Sequence, residues 1–398
     1  MTLTFATRLD AVRGSAIRDL LTLTARPDVL SLAGGLPAAD LLPRTRIAEA
    51  AATALGDPAS VQYGETAGLA RLREVVAAHE SQRCARAVEP ARVVVTTGSQ
   101  QALDLLARVL LDPGDAVVVE DPVYVGALQV FQAAGAALHT VPLDEDGMQV
   151  DVLAARLAAG LRPRLVHTVS SFHNPRGVTL APSRRRALAG LADRYGFLVV
   201  EDDPYGLLAF DGAPPVPVAA YGEQVVRLGS ASKILAPALR VGWLTGPAPV
   251  CAAVERLKQC TDLCTSALTQ AIAAELLADT PWLDAHLRRV RAVTAARATA
   301  FTTAVAAHLP GVTATTPEGG MFCWLEFPAG TDTGALLPTA LRHGVGFVPG
   351  SAFAVHTPRP AAARCCYATL PEPALREAVH RLARAVVERT SLPPRAGT

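Results

Sequence analysis

Ser230-Ala231-Ser232-Lys233-Ile234-Leu235-Ala236-Pro237-Ala238-Leu239-Arg240 is the stretch from which the fold can be read. It follows Val225-Val226-Arg227-Leu228, a mostly apolar run that fits a buried strand, so the lysine emerges where that strand ends. Ser230 and Ser232 precede the amine closely, and Arg240 follows seven residues later. Two hydroxyls and a guanidinium can hold an anion beside a lysine, while burial and cationic neighbours make its amine nucleophilic. The pattern suits a lysine that forms a Schiff base next to a phosphate ester. Taken alone, the segment also reads as a surface lysine after a strand, and the rest of the chain decides between the two.

Upstream, Val199-Val200-Glu201-Asp202-Asp203-Pro204-Tyr205 is an apolar run that ends in carboxylates, a proline and a tyrosine. A buried carboxylate at a strand end can pair with a protonated pyridine nitrogen and keep the ring an electron sink; Asp202 is the candidate. Tyr205 is positioned to donate its hydroxyl to an oxygen on such a ring. By itself the string is equally a strand-terminating turn. Earlier still, Leu165-Val166-His167-Thr168-Val169 leads into Ser170-Ser171-Phe172-His173-Asn174-Pro175-Arg176-Gly177. An Asn-Pro-x-Gly turn is ordinary punctuation, and it gains meaning here from its place at the end of another strand-like run.

Strand-length apolar runs at 92–97, 116–120, 137–141, 165–170, 197–202, 225–228 and 241–245 alternate with helical-period segments at 100–111, 123–134 and 183–195. Such alternation, with near-continuous Val and Leu strands, predicts an α/β chain whose mostly parallel sheet is covered on both faces. Ligands of these sheets bind beyond the carboxyl ends of the strands. Ser99, Asn174, Asp202 and Lys233 all fall near such ends. From 267 to 308 the pattern is helical and rich in Ala, Leu and Arg; after Pro310-Gly311 a strand is expected at 322–327.

With these residues in view, the chain resembles the fold type I pyridoxal-phosphate aminotransferases of class I/II, in the subgroup similar to 2-aminoadipate and kynurenine aminotransferases. The resemblance is carried, in the family's order, by Ser31-Leu32-Ala33-Gly34-Gly35-Leu36-Pro37, Gln62-Tyr63-Gly64, Thr96-Thr97-Gly98-Ser99-Gln100-Gln101-Ala102 and Asp121-Pro122-Val123-Tyr124. It continues through the Asn-Pro-x-Gly turn, Glu201-Asp202-Asp203-Pro204-Tyr205, the lysine segment and Pro317-Glu318-Gly319-Gly320-Met321-Phe322. It implies a large domain with a seven-stranded, mostly parallel sheet and a smaller α+β domain. The boundaries expected are 1–48 for an N-terminal arm partly joining the small domain, 49–280 for the large domain and 281–398 for the small one.

The resemblance also implies roles. Lys233 would be the catalytic base that binds the cofactor, with Asp202 under the pyridine nitrogen and Asn174 and Tyr205 on the ring's O3′. Ser99, Gln100, Ser230, Ser232 and Arg240 would hold the phosphate, the first two at a helix start where unpaired N–H groups favour anions. Tyr124 matches the aromatic residue stacked on the ring, and Tyr63 a tyrosine that reaches the cofactor of the neighbouring subunit in a homodimer. Arg364 falls where the family places the arginine that clamps the substrate α-carboxylate, with Gly35 and Asn174 beside the substrate. Arg18 matches an N-terminal arginine that lines the substrate pocket in some relatives, and reads equally as a solvated helix residue.

Some positions depart from that pattern. Arg176 stands where relatives usually carry Thr, and His173 where many carry Gln or another neutral residue. Both lie at the cofactor's edge, where they bear on substrate choice or reaction outcome, or are tolerated loop substitutions. Cys365-Cys366 beside Arg364 reads as small buried thiols that relieve packing.

Composition sets the outer limits. With 398 residues the chain is long enough for two cores. Half the residues are apolar, yet no uninterrupted run approaches the about 20 needed to cross a bilayer, and the first residues lack the plan of a secretory signal. A soluble cytoplasmic protein is expected. A net charge of +1 argues against a nucleic-acid partner, and Arg184-Arg185-Arg186 reads as a solvated helix face. Seven cysteines fit reduced thiols, and without Cys-x-x-Cys no metal site is expected. The tail 392–398 reads as disordered.

The function expected is ping-pong transamination between an α-amino acid and a 2-oxo acid. Two other readings share these signals. One is different carbanion chemistry on the same cofactor: decarboxylation, β- or γ-elimination or replacement, or oxidative deamination. The other is the ligand-sensing domain of an aminotransferase-like regulator, against which the early position of Gly34-Gly35-Leu36-Pro37 counts.

Overall fold

The computed structural model describes residues 26–211 and 213–391, together with 3, 5, 20 and 22–24; Arg18 and the tail 392–398 lie outside the described residues. In chain order the elements are β1 (Leu30–Ser31), α1 (Arg44–Leu55), α2 (Ala70–Cys84), β2 (Val93–Thr96), α3 (Ser99–Leu110), β3 (Ala116–Asp121), α4 (Val125–Ala133), β4 (Ala137–Asp144) and β5 (Gly147–Met148). There follow α5 (Val150–Ala158), β6 (Leu165–Thr168), α6 (Pro182–Tyr195), β7 (Leu198–Asp202), β8 (Val225–Ser230), β9 (Gly242–Thr245), α7 (Ala248–Gln259), α8 (Ala267–Ala278) and α9 (Thr280–His308). The remainder comprises β10 (Thr313–Ala314), β11 (Phe322–Glu326), α10 (Thr333–Arg342), β12 (Val345–Gly346), β13 (Val348–Pro349), β14 (Ala362–Cys366) and α11 (Glu372–Ser391).

The central sheet has the order β2-β9-β8-β7-β6-β3-β4-β5. From β8 through β4 neighbouring strands run parallel, while β9 is antiparallel to both its neighbours. Side chains alternate between the faces. Val117, Val119 and Val200 pack with Leu103, Leu106 and Phe131 of α3 and α4. Val118, Val166 and Val199 point the other way, onto Leu153 of α5 and Leu188 of α6. Each such Val or Leu contributes about 1.5–3 kcal/mol when fully buried, which is why the register of these strands is unambiguous.

Four expectations are adjusted. Arg184-Arg185-Arg186 is not a solvated helix face throughout, because Arg185 is buried and donates to the Ser170 carbonyl and the Ser171 hydroxyl beside Glu201. The sheet has eight strands rather than seven, because Gly147, at φ 83°, turns the chain back so that β5 pairs antiparallel with the end of β4. A two-residue strand has no periodicity to detect. The strand expected at 165–170 stops at Thr168, since the buried Glu120 carboxylate takes the Thr168 hydroxyl and the Val169 N–H, at 2.6 and 2.9 Å. The helical stretch 267–308 is two helices: Asp279 caps the second by accepting from Trp282 N–H at 3.2 Å, with Pro281 in its first turn.

A second, antiparallel sheet of order β10-β11-β14-β13 carries Arg364 in its β14 strand. The N-terminal β1 pairs in parallel with β12, Leu30 opposite Val345. Residues from near the chain's beginning therefore lie beside those from near its end. Among the described residues, no helix is long and apolar enough to cross a membrane.

Candidate active site

Because β2, β3, β6, β7 and β8 all point the same way, the loops after them emerge on one edge of the sheet. The antiparallel β9 begins on that edge, so the residues just before it, including Arg240, arrive there too. The result is a cavity of about 710 Å³ that draws Gly35, Ser99, Gln100, Tyr124, Asn174, Asp202, Tyr205, Ser230, Ser232, Lys233, Arg240 and Arg364 into one wall. Of the residues expected from the sequence, Tyr63 is not among them; it is 78 % exposed, outside the cavity.

Lys233 lies in the turn after β8, with its Nζ donating to the Gly35 carbonyl at 2.6 Å. Desolvation lowers its pKa from 10.5 to about 8, Arg364 and Arg240 add to the shift, and the Cys366 thiol opposes it. Asp202, at the end of β7, is buried; its Oδ1 has no hydrogen-bond partner and its Oδ2 lies 3.8 Å from His167 Nε2. A buried carboxylate oxygen left unmatched is costly, and this one lines the cavity. Burial raises the pKa values of Tyr205 and Tyr124 well above the ordinary phenol value. Their hydroxyls therefore remain protonated and able to donate. Tyr205 is braced by an edge-on contact with Phe322, ring centroids 5.9 Å apart.

Arg364 is a buried cation of the cavity wall. Its Nη1 donates to Asn174 Oδ1 at 2.9 Å and its Nη2 to the Ala33 carbonyl at 2.6 Å. The guanidinium lies over the rings of Phe322 and Phe353, at 4.4 and 5.2 Å from their centroids. Its burial lowers its pKa relative to a free arginine. With Asn174 Oδ1 engaged by Arg364, the amide nitrogen is the end of that side chain left to donate.

The opposite end of the cavity is built for an anion. Gly98, at φ 113°, directly precedes α3, and a Cβ placed on it would come within 2.7 Å of Arg240 Nη2. Only glycine allows the helix start and this guanidinium to approach so closely. Ser230 Oγ accepts from Ser232 N–H at 3.1 Å, so the two serines form one compact turn facing the same space. An anion cradle, a buried unpartnered carboxylate, phenol donors and a lysine with a depressed pKa form a set that fits a phosphorylated pyridine aldehyde.

The sequence departures find partners. The turn 173–177 is fastened from below and from the side: His173 Nε2 lies 3.0 Å from Glu120, while Arg176 pairs with Glu326 of β11 at 2.9 Å. Cys365 and Cys366 are fully buried. Sequence reasoning missed Gly98, Phe322, Phe353 and Glu120. A glycine just before a helix start was a usable signal for the first, whereas Phe353 contributes only through tertiary packing.

Comparison with known proteins bears on what this geometry serves. The model of the family "Aminotransferase class I and II" matches residues 27–382. This chain belongs to that family. The aminotransferase is 39 % identical over 393 residues to aromatic-amino-acid aminotransferase 1 of Thermococcus litoralis, covering 96 % of this chain and 94 % of the relative. It is 40 % identical over 384 residues to the 2-aminoadipate transaminase of Thermus thermophilus, with 94 % of each covered. Among solved structures, the kynurenine aminotransferase of Pyrococcus horikoshii, in complex with PMP, superposes with a TM-score of 0.92 at 38 % identity over 98 % of both chains. The aminotransferase has the type I fold, depends on pyridoxal phosphate and transfers amino groups. The readings as another carbanion enzyme or as a regulator domain are not favoured.

Proposed function

We propose that this aminotransferase carries out ping-pong transfer between an α-amino acid and a 2-oxo acid at the cavity around Lys233. The observation that carries the reading is the Lys233 amine, its pKa lowered to about 8, in one cavity with the clamped Arg364 guanidinium and the unpartnered Asp202 oxygen. Pyridoxal phosphate, when bound, supplies the aldehyde that accepts the amino group and the ring that takes up the electron pair left by the α-proton. Lys233 Nζ would remove the α-proton of the amino acid in one half-reaction and deliver a proton to the α-carbon of the 2-oxo acid in the other, a role suited to an amine whose free-base form is populated near neutral pH. Asp202 Oδ1 would accept from the protonated pyridine nitrogen, and the Tyr205 hydroxyl and Asn174 amide would donate to the ring's phenolic oxygen. The backbone amides of Ser99 and Gln100, with Ser230, Ser232 and Arg240, would hold the phosphate, and Tyr124 would cover the ring.

Arg364 receives the substrate α-carboxylate through its planar fork, with Gly35 and Asn174 alongside. Tyr124, Val125, Phe322 and Phe353 also line the cavity, which supports a large uncharged substrate side chain. The names of two relatives, acting on aromatic amino acids and on kynurenine, accord with this. The active unit is a cytoplasmic homodimer in which the exposed Tyr63 reaches the partner's phosphate site. We read residues 1–48 as the arm, 49–280 as the large domain and 281–398 as the small one. Titration of the purified protein with a panel of amino acids, followed by the loss of the lysine-bound cofactor's absorbance, tests the reading. Aromatic and large apolar amino acids should bleach the band, Lys233→Ala should abolish both band and turnover, and retained turnover in that variant would overturn the assignment.

A further inference from the structure

Behind the wall that carries Lys233 lies a second cavity, of about 650 Å³. Pro204 and Ser230 line both cavities, and Ile234, the neighbour of Lys233 in the chain, lines this one. The space is therefore separated from the substrate site by a single layer of protein. Its floor is apolar, with Ile234, Leu283 and Leu287 all buried.

The charges around it fall into two groups. Glu80, Arg83, Asp203 and Arg227 are engaged with one another: Arg227 pairs with Glu80 at 2.6 Å and with Asp203 at 2.9 Å, and Arg83 with Asp203 at 3.0 Å. These are closed pairs with no charge to spare. The other two are Asp284, on the exposed side of α9, and the half-buried Arg291; the Asp284 charge acts on Arg291 from a distance, and among the described residues neither makes a close ion pair. Seven residues make about two helical turns, so both project from one face, about 10 Å apart along the axis. Helical side chains lean toward the N-terminus, which directs the long Arg291 back toward Asp284. Arg291 Nε donates to the Leu207 carbonyl at 2.7 Å, and this anchors the guanidinium at the cavity's edge. The lining thus offers one cation and one anion above an apolar floor, with no net charge.

We infer that this cavity is a second small-molecule site that takes a free α-amino acid with an apolar side chain. The carboxylate meets Arg291, the ammonium meets Asp284, and the side chain lies on Ile234, Leu283 and Leu287. Complementarity of this kind selects a zwitterion over an amine or an acid alone. The site holds no lysine and performs no chemistry; an occupant packs against the back of the turn that presents Lys233.

The test is calorimetric titration of the holoenzyme after borohydride has tied the cofactor to Lys233, so that heat reports binding and no turnover is required. The probes are L-norleucine, N-acetyl-L-norleucine and L-norleucinamide. L-Norleucine should bind at one site per chain, and each derivative, lacking one charge, should bind about tenfold or more weakly. Arg291→Gln and Asp284→Asn should each weaken L-norleucine by a similar factor while transamination by the unreduced variants stays unchanged, which also verifies that they fold. Binding that survives both substitutions but is lost in Arg364→Lys places the probe in the substrate cavity and overturns the inference. Absence of binding at millimolar probe overturns it as well.

Discussion

At Lys233 the chemistry turns on how reluctantly a crowded amine keeps its proton. Folding lowers its pKa from 10.5 to about 8, chiefly by removing water, so between those values the unfolded chain binds more protons than the folded one. The contribution of this group to stability therefore rises with pH across that window. Reactivity follows the same curve. In the cofactor-free protein, brief exposure to an acylating reagent followed by mass spectrometry should show Lys233 labelling rise with an inflection near pH 8. After denaturation the inflection should move toward 10.5. Coincident profiles in the two states would mean that the pocket does not tune the amine. Lys233, Asp202 and Asn174 were all legible in the sequence for one reason: each follows an apolar run, and strand ends in a parallel sheet converge. Glu120 was not. Its role depends on β3 lying beside β6, a fact that no local pattern carries.

Among the elements, β7 and β8 bear the greatest electrostatic load. Arg227 of β8 is fully buried and meets Glu80 of α2, Asp203 after β7 and, at 3.6 Å, Glu201 within it. Trp243 of β9 adds a hydrogen bond to Glu80 at 3.0 Å. Burial alone would raise the Asp203 pKa, but Arg227 and Arg83 outweigh it and hold the carboxyl well below the ordinary range. Asp203 directly follows Asp202, so this network fixes the strand end that presents the pyridine partner. Arg227→Ala leaves three buried carboxylates short of a counter-charge and should destabilise the fold by about 3–5 kcal/mol, read as a lower urea midpoint. It should also weaken cofactor retention. An unchanged midpoint would mean that the network is neutral to folding. The strands themselves were read to within a few residues, because buried parallel strands are continuous apolar runs. The discrepancies arose where side chains intervened: Glu120 diverting Val169 from the ladder, and Asp279 dividing a helix that periodicity alone would have continued.

For the whole molecule, the exposed Tyr63 gives a sharp prediction about assembly. If it completes a partner's site, a subunit carrying Tyr63→Ala and one carrying Lys233→Ala are each deficient in their own homodimers. A mixed dimer then contains one site with native Lys233 and native Tyr63. Co-expressing the two variants should recover activity that neither shows alone, measured by transamination rate in the isolated heterodimer. No recovery would place Tyr63 in the service of its own chain or of none. Segments of the two sheets are linked by Arg176 with Glu326 and by Arg359 with Asp121, the latter at 3.0 Å. These pairings, like the β1–β12 ladder, link segments far apart in sequence and were invisible to any window of neighbouring residues.

One of those long-range contacts has a consequence for biosynthesis. The hydrogen bond from Arg364 to the Ala33 carbonyl joins residues 331 positions apart. A ribosome delivers the chain from its N-terminus, so the central sheet and its lysine emerge long before the strand bearing the arginine. The cation that would receive the substrate is therefore among the last functional groups a growing chain acquires.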